Sequence, residues 1–120
     1  MLGTKPKQYD LEDRTFEFAK KVRLSLKKLP RSISNAEDSK QLARSSGSVG
    51  ANYIEANEAL SKKDFNMRVK ISRKKAKESR FWLKLIDTGE NDDLDKEKQL
   101  LIRESMELTN IFGVIVRKSE

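Results

Sequence analysis

An unbroken apolar phase crosses a stretch that has the composition of a linker. Leu42, Ser46, Val49, Tyr53, Ala56 and Leu60 step by threes and fours straight through SSGSVGAN, residues 45–52. A flexible linker would leave the phases on its two sides unrelated, so the spacing predicts one continuous helix over 36–60 and no domain boundary there. Asn35, with Asp38 three residues on, reads as its N-terminal cap. Ala43, Gly47 and Ala51 repeat at i, i+4 and i+8, with Ser46 and Gly50 beside them, and should let a neighbouring backbone come close. Two interior glycines cost about 1 kcal/mol each against alanine, so packing must offset them. A kinked or locally broken helix is the alternative.

The other segments carry the same periodicity. Asp10 and Asp13 look like a cap with an acid in the first turn, Leu11, Phe18, Val22 and Leu29 recur at helical spacing, and Pro30 closes a helix over 11–29. Ser61 and Asp64 start a third helix, over 64–87. Its Phe65, Val69, Ser72, Ala76, Ser79, Leu83 and Ile86 form one stripe; Met67, Ile71, Phe81, Trp82 and Leu85 form a second, so more than a narrow seam should be buried. Gly89 is a stop signal, and after the acidic loop ENDD a fourth helix runs over 94–117. Two prolines and five glycines are too few for a sandwich or barrel. The expected fold is therefore all-α: a single domain over 1–120, an antiparallel up-down-up-down four-helix bundle. The run IFGVIV at 111–116, together with Phe81 and Trp82, is more apolar than such a bundle needs. It suggests a subunit interface.

Composition excludes several chemistries. With no cysteine there is no disulfide and no thiolate metal site; with no histidine the commonest general base and imidazole ligand are missing too. A di-metal carboxylate bundle needs Glu-x-x-His pairs, so Glu55 with Glu58, or Glu104 with Glu107, make no metal site. No strand precedes a glycine-rich loop, and nucleotide fingerprints are absent. Neither a cofactor nor a small-molecule substrate is expected. Glu78 interrupts the second stripe of its helix, and Glu55 with Asn52 flanks the core stripe of the helix before. These are read as groups satisfied by Tyr53, Arg44 or backbone partners. As a general acid/base pair, Glu55 and Glu78 would lack a nucleophile and an oxyanion donor. The protein is not expected to be an enzyme. No apolar run approaches the ~20 residues that span a bilayer, which points to a cytoplasmic protein with no membrane partner.

Charge is the remaining signal. Lys62 to Lys84 holds ten basic residues against Asp64 and Glu78, so the net +7 of the chain resides in one helix. Lys63, Lys70, Arg73, Lys74, Lys77, Arg80 and Lys84 fall three, four or seven apart and gather on one face. Lys70 to Lys84 spans roughly 21 Å at 1.5 Å per residue, enough to follow several phosphates spaced about 3.4 Å apart. Like charges at i, i+4 cost a few tenths of a kcal/mol per pair, which favours an anionic partner, RNA or DNA, read through its backbone. The competing view is a solvated face neutralised by Glu58, Glu97 or Glu104, in a protein-interaction scaffold.

The run QLARSSGSVGANYIEANEALSKKDFNMRVKISRKKAKESRFWLKLI, residues 41–86, resembles the bacterial four helix bundle protein family, also called 23S rRNA intervening sequence proteins. The resemblance rests on Gln-Leu-x-Arg-Ser, Ser-Val-x-Ala-Asn-x-x-Glu-Ala, Lys-Asp-Phe and a Glu followed by Trp-Leu; YDLEDRTFEFAKKV and ESMELTNIF fit as well. It implies Gln41, Arg44, Ser48, Ala51, Asn52, Glu55 and Ala56 as motif positions, with Glu78 and Trp82, in structural or interface roles. It also implies a homo-oligomer, a ring-like pentamer, without catalytic activity. A distant branch includes the accessory variability protein of diversity-generating retroelements, which implies a reverse transcriptase as a partner. Lys75 stands where the family pattern KEAxE has a second Glu, and makes the helix more basic.

Overall fold

In the computed structural model, residues 7–120 are described, with side chains from Leu11 onward. They form four helices and no strand: α1 (Lys7–Leu26), α2 (Ile33–Asn57), α3 (Lys62–Leu85) and α4 (Asp92–Ser119). Residues 1–6 of the polar N-terminal tail lie outside the described set.

The helix ends correct the sequence reading by a few residues, each for a local reason. α1 already includes Asp10, so that residue is not the cap; its side chain is outside the described set. At the other end α1 stops at Leu26, short of Leu29, because the residue before a proline avoids helical backbone. Lys28 N and Leu29 N then bond to the carbonyls of Ser25 and Leu26 in tighter turns. α2 is capped by Ser32, whose hydroxyl accepts from Asn35 N at 3.0 Å. Asn35 is instead a buried clamp: its Nδ2 donates to the carbonyls of Pro30 and Asp87, both at 2.9 Å, and its Oδ1 accepts from Asp87 N at 2.9 Å. One amide thus ties the α1–α2 connection to the α3–α4 loop. α2 ends at Asn57, which leaves Leu60 fully exposed rather than in the core. Ser61 caps α3 through Asp64 N at 3.0 Å, and Asn91 caps α4 through Leu94 N at 2.9 Å. Asp92, Asp93 and Asp95 fill the first turn of α4, where they complement the helix dipole.

α2 runs without interruption through SSGSVGAN. Its small residues divide their work differently from the expected stripe. Gly50 takes the close approach: a Cβ there would stand 2.8 Å from Thr15 Oγ1, so α1 can cross only if position 50 has no side chain. Gly47 is half-buried and Ala51 exposed. On the opposite flank α2 meets α3 through hydroxyls. Ser72 Oγ donates to Val49 O at 2.9 Å and Ser79 Oγ to Ser45 Oγ at 3.0 Å, all buried, which satisfies polar groups where two helices lie close.

The core is one cluster that includes Phe18, Val22, Leu42, Val49, Val69, Leu83, Leu108 and Phe112, with Tyr53 tilted against Phe112 at a centroid distance of 5.6 Å. Each helix packs on the next in the chain, and α4 also meets α1. Two apolar features fall elsewhere than expected. The second stripe of α3 divides: Met67 and Leu85 are each 50% exposed and Phe81 56%, while Ile71 is half-buried and Trp82 packs against the core. The run 111–116 faces mostly inward, because Phe112, Gly113 and Val116 are buried, Ile111 and Ile115 pack against the core, and only Val114 looks out. Among the described residues no helix is long and apolar enough to cross a membrane.

Candidate functional site

α3 has one flank against α2 and the other against α4. On the α2 side stand Ser72 and Ser79, with Arg68 Nη1 donating to Asn52 Oδ1 at 3.5 Å. On the α4 side, Lys98 Nζ donates to the carbonyls of Lys84 at 3.3 Å and Ile86 at 2.8 Å, a cation placed on the negative end of the α3 dipole. Lys70, Arg73, Lys77, Arg80 and Lys84 lie on this same flank by helical spacing, with Lys63 and Lys74 next to them towards solvent.

Lys63, Lys70, Lys74, Lys77, Arg80 and Lys84 are exposed and Arg73 is half-buried. Lys70 reaches Glu120 at 3.5 Å, with both side chains about half exposed, a pairing worth little in water. The other six form no ion pair among the described residues. Arg73 lies along α4: a Cβ at Gly113 would stand 3.9 Å from Arg73 Cδ and 3.5 Å from Arg117 Nη1, so two arginine side chains converge over a bare stretch of backbone. Arg117 and Lys98 were missed as members of the site. They sit on a different helix, and only packing puts them beside α3.

Of the three acids expected to neutralise this face, Glu97 and Glu104 are engaged elsewhere. Arg14 Nε donates to Glu104 Oε2 at 2.7 Å, and its Nη2 donates to Glu104 Oε1 at 2.8 Å and Glu107 Oε1 at 2.7 Å. The bond to Glu104, supported by Glu107, outweighs burial and raises the arginine's already high pKa. Glu97 accepts from Ser25 Oγ at 2.7 Å and from Lys28 Nζ at 2.9 Å. The Lys28 bond first and the Ser25 bond second hold its carboxyl below the usual range, against a smaller effect of desolvation. Glu58 is exposed at the C-cap of α2 and makes no ion pair among the described residues.

The motif positions of α2 form an outward strip. Gln41, Arg44, Ala51 and Glu55 are exposed, Ser48 and Asn52 are half-buried, and Ala56 alone belongs to the core. Ser48 Oγ donates to Arg44 O at 3.0 Å and Asn52 Nδ2 to Ser48 O at 2.9 Å, so these two side chains bond to backbone carbonyls of their own helix, and Asn52 Oδ1 also accepts from Arg68 on α3. Glu78 is held on α3: Trp82 Nε1 donates to its Oε2 at 3.1 Å and Lys75 Nζ to its Oε1 at 3.2 Å. Burial opposes the charged form, but these two donors win and Glu78 is shifted below its ordinary value. Glu55 and Glu78 are not brought together. Ser79, next to Glu78, sits at the level of Ser45, and Glu55 is ten residues along α2 from there, roughly 15 Å at 1.5 Å per residue. Among the described residues no cluster of carboxylates could hold a metal ion.

Residues 7–111 match the family described as the 23S rRNA-intervening sequence protein. No curated protein matches the chain. Among solved structures it is similar to a protein of unknown function from the S23 ribosomal protein family of Bacteroides thetaiotaomicron. The TM-score is 0.72 at 29% sequence identity, over 88% of this chain and 96% of the other.

Proposed function

The chain belongs to the 23S rRNA-intervening sequence protein family, and from that premise we propose that it is a non-enzymatic bundle whose α3–α4 flank binds the phosphate backbone of RNA or DNA. The observation that carries this reading is the set of six α3 cations, Lys63, Arg73, Lys74, Lys77, Arg80 and Lys84, without carboxylate partners among the described residues, while α4 spends Glu104 and Glu107 on α1 and Glu97 on Lys28 just beyond it. Like charges held together on a stable helix cost free energy that a polyanion returns by counterion release. The pairings of Val49 with Ser72 and Ser45 with Ser79 support an antiparallel α2–α3 pair and with it an up-down-up-down order, and the cations, all on α3, run along that one helix. Self-association as a pentamer multiplies that field. A reverse transcriptase carrying its own nucleic acid is a partner of the right chemistry.

Titration with generic RNA and DNA at several salt concentrations tests the reading. The logarithm of the binding constant is expected to fall linearly with that of salt, and joint replacement of Arg73, Lys77 and Arg80 by Glu to abolish binding while the helical circular dichroism is retained. No shift at micromolar nucleic acid in low salt decides instead for a protein-interaction scaffold, the reading that the exposed apolar edge of α3 favours.

A further inference from the structure

The backbone reading leaves one feature of α3 unused: an exposed aromatic ring at the border of the cationic face. Phe81 is 56% exposed. One turn before it stands Lys77, one turn after it Lys84, and two turns before it Lys74, all exposed; its other neighbours at this spacing are Glu78 and Leu85. The ring is not loose. It meets Trp82 edge-to-face, with centroids 4.9 Å apart and planes at 79°. Trp82 is itself fixed by the bond from its Nε1 to Glu78 at 3.1 Å, and Glu78 by Lys75 at 3.2 Å. An edge-to-face pair uses at most one face of either ring, so Phe81 keeps at least one face for another flat partner.

We propose that Phe81 is a stacking platform for an unpaired base, and that the ligand of this face is single-stranded nucleic acid. The proposal rests on the backbone-binding reading and narrows it. An aromatic face beside a line of cations is the arrangement that holds single strands: phosphates run along the charges and a base turns onto the ring. In a duplex the bases are stacked on each other, so Phe81 would have nothing to receive. A protein partner at this point would have to desolvate Lys74, Lys77 and Lys84, and lysine is depleted at the centres of protein interfaces. The chain from Lys75 through Glu78 and Trp82 is then a positioning device for the ring. This accounts for a carboxylate in an otherwise apolar stripe.

The full-length chain is titrated with a short unpaired oligonucleotide and with the blunt duplex of the same sequence, at matched salt, using the fluorescence of Trp82, the single tryptophan. Unpaired strand is expected to bind more tightly than duplex and to quench Trp82. Phe81→Ala should weaken binding of the unpaired strand by roughly tenfold, the effect of losing one stacked base, with an unchanged salt slope and unchanged duplex binding. Phe81→Tyr should restore it. Equal affinity for both ligands, or a Phe81→Ala variant that binds the unpaired strand as the parent does, overturns the proposal while leaving the backbone reading intact. A Phe81→Ala variant whose sedimentation mass falls, and which loses affinity for both ligands alike, assigns the ring to a subunit contact instead. Absence of binding to either ligand at low salt removes the backbone reading itself, and this one with it.

Discussion

The two flanks of α4 meet neighbouring cations in opposite ways. Towards α1 the helix presents Glu97, Glu104 and Glu107, and each finds a cation: Lys28 for the first, Arg14 for the other two. Towards α3 it presents Lys98, Gly113 and Arg117 to a row of lysines and arginines. The difference is one of register. A helix advances 100° per residue, so an acid at 97 or 104 can serve only the neighbour it points to, however many cations stand on the other side. Net charge alone would not distinguish a neutral seam from an open one.

The largest effect is expected from inverting the neutral seam. Replacing Glu104 and Glu107 together by Lys leaves Arg14 facing two like charges in a partly buried setting, which should destabilise the bundle by about 1–3 kcal/mol in urea unfolding. The same double variant should give α4 a second basic flank and steepen the salt dependence of nucleic-acid binding. An unchanged unfolding midpoint would mean that the bidentate geometry contributes nothing.

The open flank can be made to resemble the closed one by a single change. Gly113→Glu places a carboxylate between Arg73 and Arg117, and the room for a Cβ, 3.5 Å from the nearest atom, means the fold should tolerate it. Affinity for nucleic acid should drop several-fold and the salt slope by about one unit, as one or two phosphate contacts are lost. Thermal stability should hold or rise, since glycine inside a helix costs about 1 kcal/mol.

The smallest effect concerns pH. Glu97 is held below its ordinary value by Lys28 and Ser25, so its pKa is lower in the folded than in the unfolded chain. Its contribution to stability is complete above the unfolded value, about 4.3, and is lost as pH falls through the folded one. Glu97→Gln should therefore flatten the acid limb of the stability curve and leave stability near pH 7 lower by a few tenths of a kcal/mol, because the pair is solvent-screened. A parallel acid limb in parent and variant would exclude the bridge as its cause.

Much of this arrangement could be read from residue spacing. The helices, the inward positions of Phe18, Val22, Leu42, Val49 and Leu83, and the gathering of cations on one face of α3 all follow from a local period of 3.6 residues. The role of Asn35 could not, because its partners stand 5 and 52 residues away and a local rule reads it as a cap. The exposure of the outer stripe of α3 is illegible for a related reason: periodicity groups Met67, Phe81 and Leu85 on one side without saying whether another helix covers that side. Gly50 and Gly47 look equivalent in the sequence, and only the path of α1 over Thr15 makes the first one obligatory.

The chain's own pattern determined four helices and one cationic ridge, since both depend on residues a turn or two apart. Which cations stay unpaired was decided by the tertiary structure. An ion pair between helices needs two side chains at the same height and on facing flanks, and that condition joins positions as distant as Arg14 and Glu104. Where α4 turned its acids to α1, the ridge of α3 was left facing a glycine and another arginine.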